Sequence, residues 1–278
     1  MIVIQTPAEM QRWAMAQRAQ GARVGLVPTM GYLHSGHLSL ITAAKQRADA
    51  VAVSIFVNPA QFGPNEDFEK YPRDEARDLA LCREAGAQAV FLPPASAMYA
   101  PDASVSVNEE RLSAGLCGAR RPGHFCGVCT VVAKLFNIAL PHVAVFGQKD
   151  YQQSAVIRRM VRDLDFPVEI VVAPIVREAD GLALSSRNVY LAGDERERAL
   201  GLSRALQSAA ESVASGPCGA DEVRRRMGEV LERHALKIDY VEIADAETLE
   251  PVTVAARGNV ALIAVFCGKT RLIDNRVL

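Results

Sequence analysis

The sequence carries no surplus of charge: 31 Lys and Arg stand against 32 Asp and Glu, a formal net charge of −1. That balance excludes the broad cationic footprint by which proteins hold nucleic acid or an anionic membrane. It leaves room for a few local cations to grip a small polyanion. Aromatic residues are scarce, 6% of the chain with a single Trp, although half of all residues are hydrophobic. The core must therefore be built largely from Ala, Val, Leu and Ile, which suits an α/β fold better than an all-β one. No apolar run approaches the roughly 20 residues that span a bilayer. Met1 to Arg12 lacks the charged start, apolar middle and small-residue cleavage site of a secretory signal. The six cysteines, Cys82, Cys117, Cys126, Cys129, Cys218 and Cys267, are scattered, and the expectation is a cytoplasmic protein with reduced thiols. Cys126 and Cys129 form a CxxC, but no second Cys pair or closely spaced His pair completes a zinc set. Packing is their expected role.

What the chain does have is alternation. Arg23–Thr29 is a short apolar run, and Gly36–Arg47 follows with helical spacing at Leu38, Ile41, Ala44 and Ala48. Ala50–Val57 is nearly unbroken in apolar and β-branched residues, as expected of a strand covered on both faces. Asp74–Ala85 reads as a helix ended by Gly86, and Gln88–Leu92 as a strand stopped by Pro93-Pro94. Val128–Leu140 reads as a buried helix, His142–Phe146 as a strand, Tyr151–Leu164 as a helix and Val168–Val172 as a strand. Repeated β–α units imply a Rossmann-like parallel sheet, which binds ligands where strand carboxyl ends meet helix starts. After about residue 175 the pattern changes. Asp194–Ser215 and Ala220–His234 read as amphipathic helices, followed by strand-like runs at Asp239–Ala244, Val260–Phe266 and Arg271–Asp274. The expected organisation is α/β: a nucleotide-binding domain over 1–175 and a smaller α+β domain over 176–278.

The sharpest local signal lies directly after the first core strand, at Met30-Gly31-Tyr32-Leu33-His34-Ser35-Gly36-His37. Two histidines at i and i+3 share one face of a helical turn. The intervening glycine lets a phosphate approach the backbone, and the N–H groups of a helix start attract anions. Gly147-Gln148-Lys149-Asp150 ends a strand and opens a helix, a usual place for a phosphate loop; Lys149 can neutralise phosphate charge, and Asp150 can fix a hydroxyl or orient the lysine. Gln61 follows the second strand, and Gln153 lies just beyond Asp150; an amide both donates to a carboxylate and accepts from a hydroxyl. Leu184-Ser185-Ser186-Arg187 offers hydroxyls and a guanidinium fork suited to phosphates.

The HxGH segment resembles the signature of the nucleotidyltransferase superfamily. Four further segments, Phe56–Gly63, Arg121-Pro122-Gly123-His124-Phe125, Phe146–Gln153 and Leu184-Ser185-Ser186-Arg187-Asn188, arrive in the order of one branch, the pantothenate synthetase family. The resemblance implies an ATP-dependent ligase that joins pantoate to β-alanine through a pantoyl-adenylate, with ATP as co-substrate and Mg2+ beside it. It implies catalytic roles for His34, His37 and Lys149. ATP contacts would come from Met30 to His37, Gly147 to Asp150, Val176 and Leu184 to Arg187. Gln61 and Gln153 would hold pantoate. Asp78 is the candidate metal ligand, and Arg121 and His124 are further candidate ligand contacts. A homodimer is expected, as is a second domain that closes to shield the mixed anhydride from water. Two other readings stand beside this one. A transferase moving AMP or CMP onto a phosphorylated acceptor would share HxGH but need more cations and no paired glutamines. A non-catalytic nucleotide-binding protein would release no pyrophosphate.

Overall fold

Apolar runs without polar alternation become strands buried on both faces, and the first half of the chain is built from them. A computed structural model of the chain describes residues 1–64 and 66–278 and divides into two units. The first comprises Met1–Ala114, Gly118–Gly147 and Gln153–Pro174. Its elements are β1 (Ile2–Ile4), α1 (Pro7–Ala19), β2 (Val24–Thr29), α2 (Ser35–Lys45), β3 (Ala50–Ile55), α3 (Glu75–Glu84), β4 (Ala89–Phe91), α4 (Ala95–Met98), α5 (Leu116–Arg120), α6 (His124–Ala139), β5 (Val143–Gly147), α7 (Tyr151–Asp163) and β6 (Glu169–Ala173). The boundary between units falls within α5 and within α7.

The six strands form one parallel sheet in the order β1-β4-β3-β2-β5-β6. Every residue of β3 is buried, and Val27, Ile41, Val51, Val53, Val90, Val143 and Val145 join one core cluster. Each such side chain contributes about 1.5–3 kcal/mol when fully buried. From β2 the chain builds outward through β3 and β4, then returns to add β5 on the other side of β2. The carboxyl ends of β2 and β5 are thus the topological switch point where such sheets bind ligands. The α/β parallel-sheet expectation holds.

Residues 1–22 suggested no element, yet they form β1 and α1. β1 is a three-residue edge strand with Ile2 48% and Val3 44% exposed, and α1 buries only Met10 and Ala14. Neither leaves a periodic apolar trace.

The second unit comprises Gly115–Cys117, Gln148–Gln152 and Ile175–Leu278. It contains α8 (Glu195–Arg198), α9 (Gly201–Val213), β7 (Cys218–Gly219), α10 (Ala220–Arg233), β8 (Lys237–Asp245), β9 (Val254–Ala255), β10 (Asn259–Cys267) and β11 (Thr270–Val277). β11, β10 and β8 form an antiparallel sheet in that order, and β7 pairs with β9. The helix expected over Asp194–Ser215 is broken: Leu200 and Leu202 donate to carbonyls three residues back, at Glu197 and Ala199. This tightening separates the polar turn Glu195–Arg198 from Leu202, Ala205, Leu206, Ala209 and Val213, which fall on one buried face against Met227, Leu231 and Ile263.

Candidate active site

The segment after β2 is shaped by two successive left-handed residues, Gly31 (φ 82°) and Tyr32 (φ 49°). A Cβ on Gly31 would stand 3.0 Å from both Asp78 Oδ2 and Ile55 Cγ2, so glycine is required by space as well as by φ. Asp78, on α3 and 1% exposed, accepts from the Tyr32 N–H at Oδ2 and the Leu33 N–H at Oδ1, both at 2.7 Å. Burial raises its carboxyl above the ordinary range, a shift these two N–H donors partly offset. Thr29 Oγ1 donates to the Ser54 carbonyl at 2.8 Å and accepts from the Gly31 N–H at 3.2 Å. The N–H groups of Gly31, Tyr32 and Leu33 are thereby each directed to a side-chain oxygen.

His34 is the N-cap of α2, and His37 is its third residue. The Gly36 N–H donates to His34 Nδ1 at 3.2 Å, and the His34 N–H donates to His37 Nδ1 at 3.3 Å. This is a capping box made by two imidazoles where Ser and Glu usually serve. An amide N–H can only donate, so both Nδ1 atoms are acceptors, and the proton of each neutral ring sits on Nε2. The rings lie 4.1 Å apart between centroids at 38°. Two imidazole N–H donors thus accompany the positive end of the α2 dipole, the arrangement that stabilises charge growing on a phosphate.

After β3, Pro59–Gln61 forms a short 3-10 turn capped by the Asn58 side chain. Asn58 is 1% exposed. Its Nδ2 donates to Gln61 Oε1 at 3.2 Å and to the Gly127 carbonyl at 3.1 Å, while its Oδ1 accepts from Tyr99 Oη–H at 2.8 Å. Burial pushes the Tyr99 hydroxyl up to about 12, so it remains a donor. Gln61 Nε2 reaches Met30 Sδ at 3.1 Å, which brings this glutamine to the segment carrying the histidines. Its backbone carbonyl accepts from His124 Nδ1 at 2.8 Å. Arg121 Nη1 donates to His124 Nε2 at 2.9 Å and forms a two-pronged pair with Glu66, Nε–Oε1 at 2.7 Å and Nη2–Oε2 at 2.6 Å. Burial would raise the Glu66 carboxyl, but the Arg121 guanidinium overrides it and the net shift is downward. Gln153 stands half-buried in the first turn of α7.

In the second unit, Gln148–Asp150 forms a 3-10 turn directly after Gly147, the last residue of β5. Asn275 of β11, 2% exposed, donates from Nδ2 to the carbonyls of Gln148 and Lys149, both at 2.9 Å. Its neighbour Asp274 takes a two-pronged pair from Arg177 at 2.7 and 2.9 Å. One strand thus holds both the turn carrying Lys149 and the segment carrying Val176. The Leu184 N–H donates to the Val176 carbonyl at 3.0 Å. Ser185 caps the 3-10 turn Ser186–Tyr190, its Oγ accepting from the Arg187 N–H at 3.3 Å. Asn58, Glu66, Arg177, Asp274 and Asn275 had drawn no role from the sequence. Asn58 was visible only as part of the Phe56–Gly63 segment, and Asp274 and Asn275 only as polar residues at the end of a strand-like run. Among the described residues, no group of three or more His, Cys, Asp or Glu is arranged to hold a metal ion, and no helix is long and apolar enough to cross a membrane.

Comparison with known proteins bears on the whole chain. The family model described as pantoate-beta-alanine ligase matches residues 2–277. The pantothenate synthetase of Thermotoga petrophila is 52% identical over 279 residues, covering 100% of both chains. That of Moorella thermoacetica is 54% identical, covering 100% of this chain and 99% of the relative. Among solved structures, pantothenate synthetase from Thermus thermophilus superposes with a TM-score of 0.93 at 46% identity, covering 100% and 99%. Pantoate-beta-alanine ligase from Francisella tularensis, complexed with beta-gamma ATP and beta-alanine, superposes at 0.83 with 31% identity, covering 100% and 97%.

Proposed function

We propose a catalytic route from one premise: the chain belongs to the pantoate–beta-alanine ligase family, and so joins pantoate to β-alanine with ATP. In the first step a pantoate carboxylate oxygen attacks the α-phosphorus; the new O–P bond forms as the P–O bond to pyrophosphate breaks, leaving pantoyl-adenylate. In the second, the β-alanine amine attacks the acyl carbon, the C–O bond to AMP breaks, and the amine gives up a proton. No protein nucleophile is needed. Catalysis is alignment and charge stabilisation.

The observation that supports this most is the histidine capping box, which sets Nε2–H as the donor of both His34 and His37. We assign those donors and Lys149 to the reacting phosphate. Ser185, Ser186 and Arg187 grip the leaving pyrophosphate, and the remaining ATP contacts come from Met30 to Gly36, Gly147, Gln148, Asp150, Val176 and Leu184. Gln61 and Gln153 hold pantoate. Asp78, both oxygens taken by backbone N–H groups, is a poor fit as the sole carboxylate of a metal site. Magnesium would therefore enter bound to the nucleotide phosphates, as it commonly does, and would supply charge neutralisation there. The working enzyme is a cytoplasmic homodimer whose residues 176–278 close over the nucleotide.

Omitting each substrate in turn from an AMP-release assay tests the route. AMP should appear only with pantoate, ATP and β-alanine all present. Lys149→Ala should slow pantoate-dependent ATP–pyrophosphate exchange at least about a hundredfold, the scale of losing one preorganised charge-stabilising donor, with an unchanged melting temperature. Exchange at the wild-type rate would refute the role of Lys149.

A further inference from the structure

We propose that His124 is a positioning residue for the acid substrate: it fixes the main chain of Gln61 where the glutamine amide, oriented by Asn58, presents its donor end to pantoate. The inference rests on the assignment of Gln61 to pantoate and explains what makes that glutamine competent.

A glutamine in a loop has three rotatable bonds and an amide that works in either orientation, so it selects for a carboxylate or hydroxyl oxygen only if something else fixes it. Here both ends of the residue are fixed. On the side chain, the Asn58 Nδ2 donor occupies Oε1, which turns Nε2 toward Met30 Sδ, a weak acceptor. On the main chain, the Gln61 carbonyl is held by His124 Nδ1 at 2.8 Å.

The histidine's own proton is placed by its neighbours. A guanidinium has no acceptor, so the 2.9 Å contact from Arg121 Nη1 makes His124 Nε2 the acceptor and leaves the proton on Nδ1, aimed at Gln61. Arg121 is held in turn by the two-pronged pair with Glu66. From behind, Gly127 allows α6 to press against the same turn: a Cβ there would lie 2.3 Å from the Ala60 carbonyl oxygen and 2.7 Å from the Gln61 nitrogen. Arg121 and His124, expected from sequence as ligand contacts, bond to Glu66, to each other and to Gln61.

The test compares His124→Ala, His124→Gln and His124→Asn in the full-length enzyme. An asparagine amide nitrogen falls near the position of Nδ1, and a glutamine amide nitrogen near Nε2. His124→Ala and His124→Gln should raise the KM for pantoate about tenfold, the effect of one buried hydrogen bond, while the KM values for ATP and β-alanine stay within about twofold. His124→Asn should return most of the loss. A purely structural role would move all three KM values together and in step with the melting temperature, and that result overturns the inference. So does an unchanged pantoate KM in all three variants. Gln61→Ala separates the two levels. If it leaves the pantoate KM unchanged, the assignment of Gln61 falls and the inference with it. If it raises that KM while the His124 series does not, only the positioning role falls.

Discussion

Asp78 shows how much one carboxylate can settle. Gly31 and Tyr32 adopt left-handed backbone in succession, which for Tyr32 costs about 1–2 kcal/mol and aims the N–H groups of Tyr32 and Leu33 at one point. Asp78 meets both at 2.7 Å, and hydrogen bonds to a charged group contribute about 1.5–3 kcal/mol. Asp78→Asn turns an NH2 group toward one of those donors. It should lower the melting temperature by several degrees and reduce kcat/KM, because the turn that presents His34 loosens; an unchanged melting curve would show that the contacts are incidental. Glu66 makes a prediction about pH. Its carboxyl is held below its ordinary 4.5 by the Arg121 pair, against the opposing effect of burial. In the window below 4.5 the unfolded chain binds a proton that the folded chain does not, so stability rises with pH there. The pair's contribution is complete above that window and is lost as pH falls through the depressed value. Melting curves should show wild type above Glu66→Gln at pH 7, with the gap closing as pH drops below about 4.5. A gap that is constant with pH would mean that the pair does not govern this titration.

At the scale of elements, β11 has the most to explain. Alternation along a strand sends adjacent side chains to opposite faces, and here both are polar and buried: Asp274 toward Arg177, Asn275 toward the turn carrying Lys149. Asn275→Ala removes two donors from the carbonyls of Gln148 and Lys149. Asn275→Asp is worse, since it sets a carboxylate against two carbonyl oxygens. Pantoate-dependent ATP–pyrophosphate exchange should fall about tenfold or more in the first and further in the second, with Lys149 itself intact. Full exchange in both variants would show that the turn holds its shape unaided. The same strand marks where sequence reading stops. β2, β3 and β5 were legible because burial on both faces demands unbroken apolar runs, and the histidine turn was legible because spacing and position carry its chemistry. Asn275 was not, because its partner carbonyls lie 126 and 127 residues away. Asp78 was expected as a metal ligand, and its bonds to the turn were hidden for the same reason: the amides it serves sit 45 and 46 residues earlier, and α3 by itself shows only a polar pattern. Local periodicity records which face is buried and says nothing of which distant backbone group a polar side chain satisfies.

At the scale of the molecule, the chain does not divide once. Gly115–Cys117 and Gln148–Gln152 belong to the second unit although both neighbouring stretches belong to the first; of the residues proposed for ATP, His34 and His37 belong to the first unit, and Lys149 and Ser185–Arg187 to the second. The proposed intermediate is a mixed anhydride that water destroys, and exclusion of water is the purpose we propose for closure. With pantoate and ATP but no β-alanine, the enzyme should release about one pyrophosphate per active site and then stop, holding its adenylate. The segment from Val176 to Arg187 is tied to β11 by the Arg177–Asp274 fork. Arg177→Lys keeps the charge but loses the two-pronged geometry. It should convert the single burst into slow continuous release of AMP without β-alanine, as water enters, while the full reaction with β-alanine declines much less. Rapid-quench measurement of pyrophosphate and AMP on both proteins decides it. Continuous AMP release by the wild-type enzyme, at a rate comparable with its full turnover, would mean that the adenylate is not protected and would refute the proposed closure.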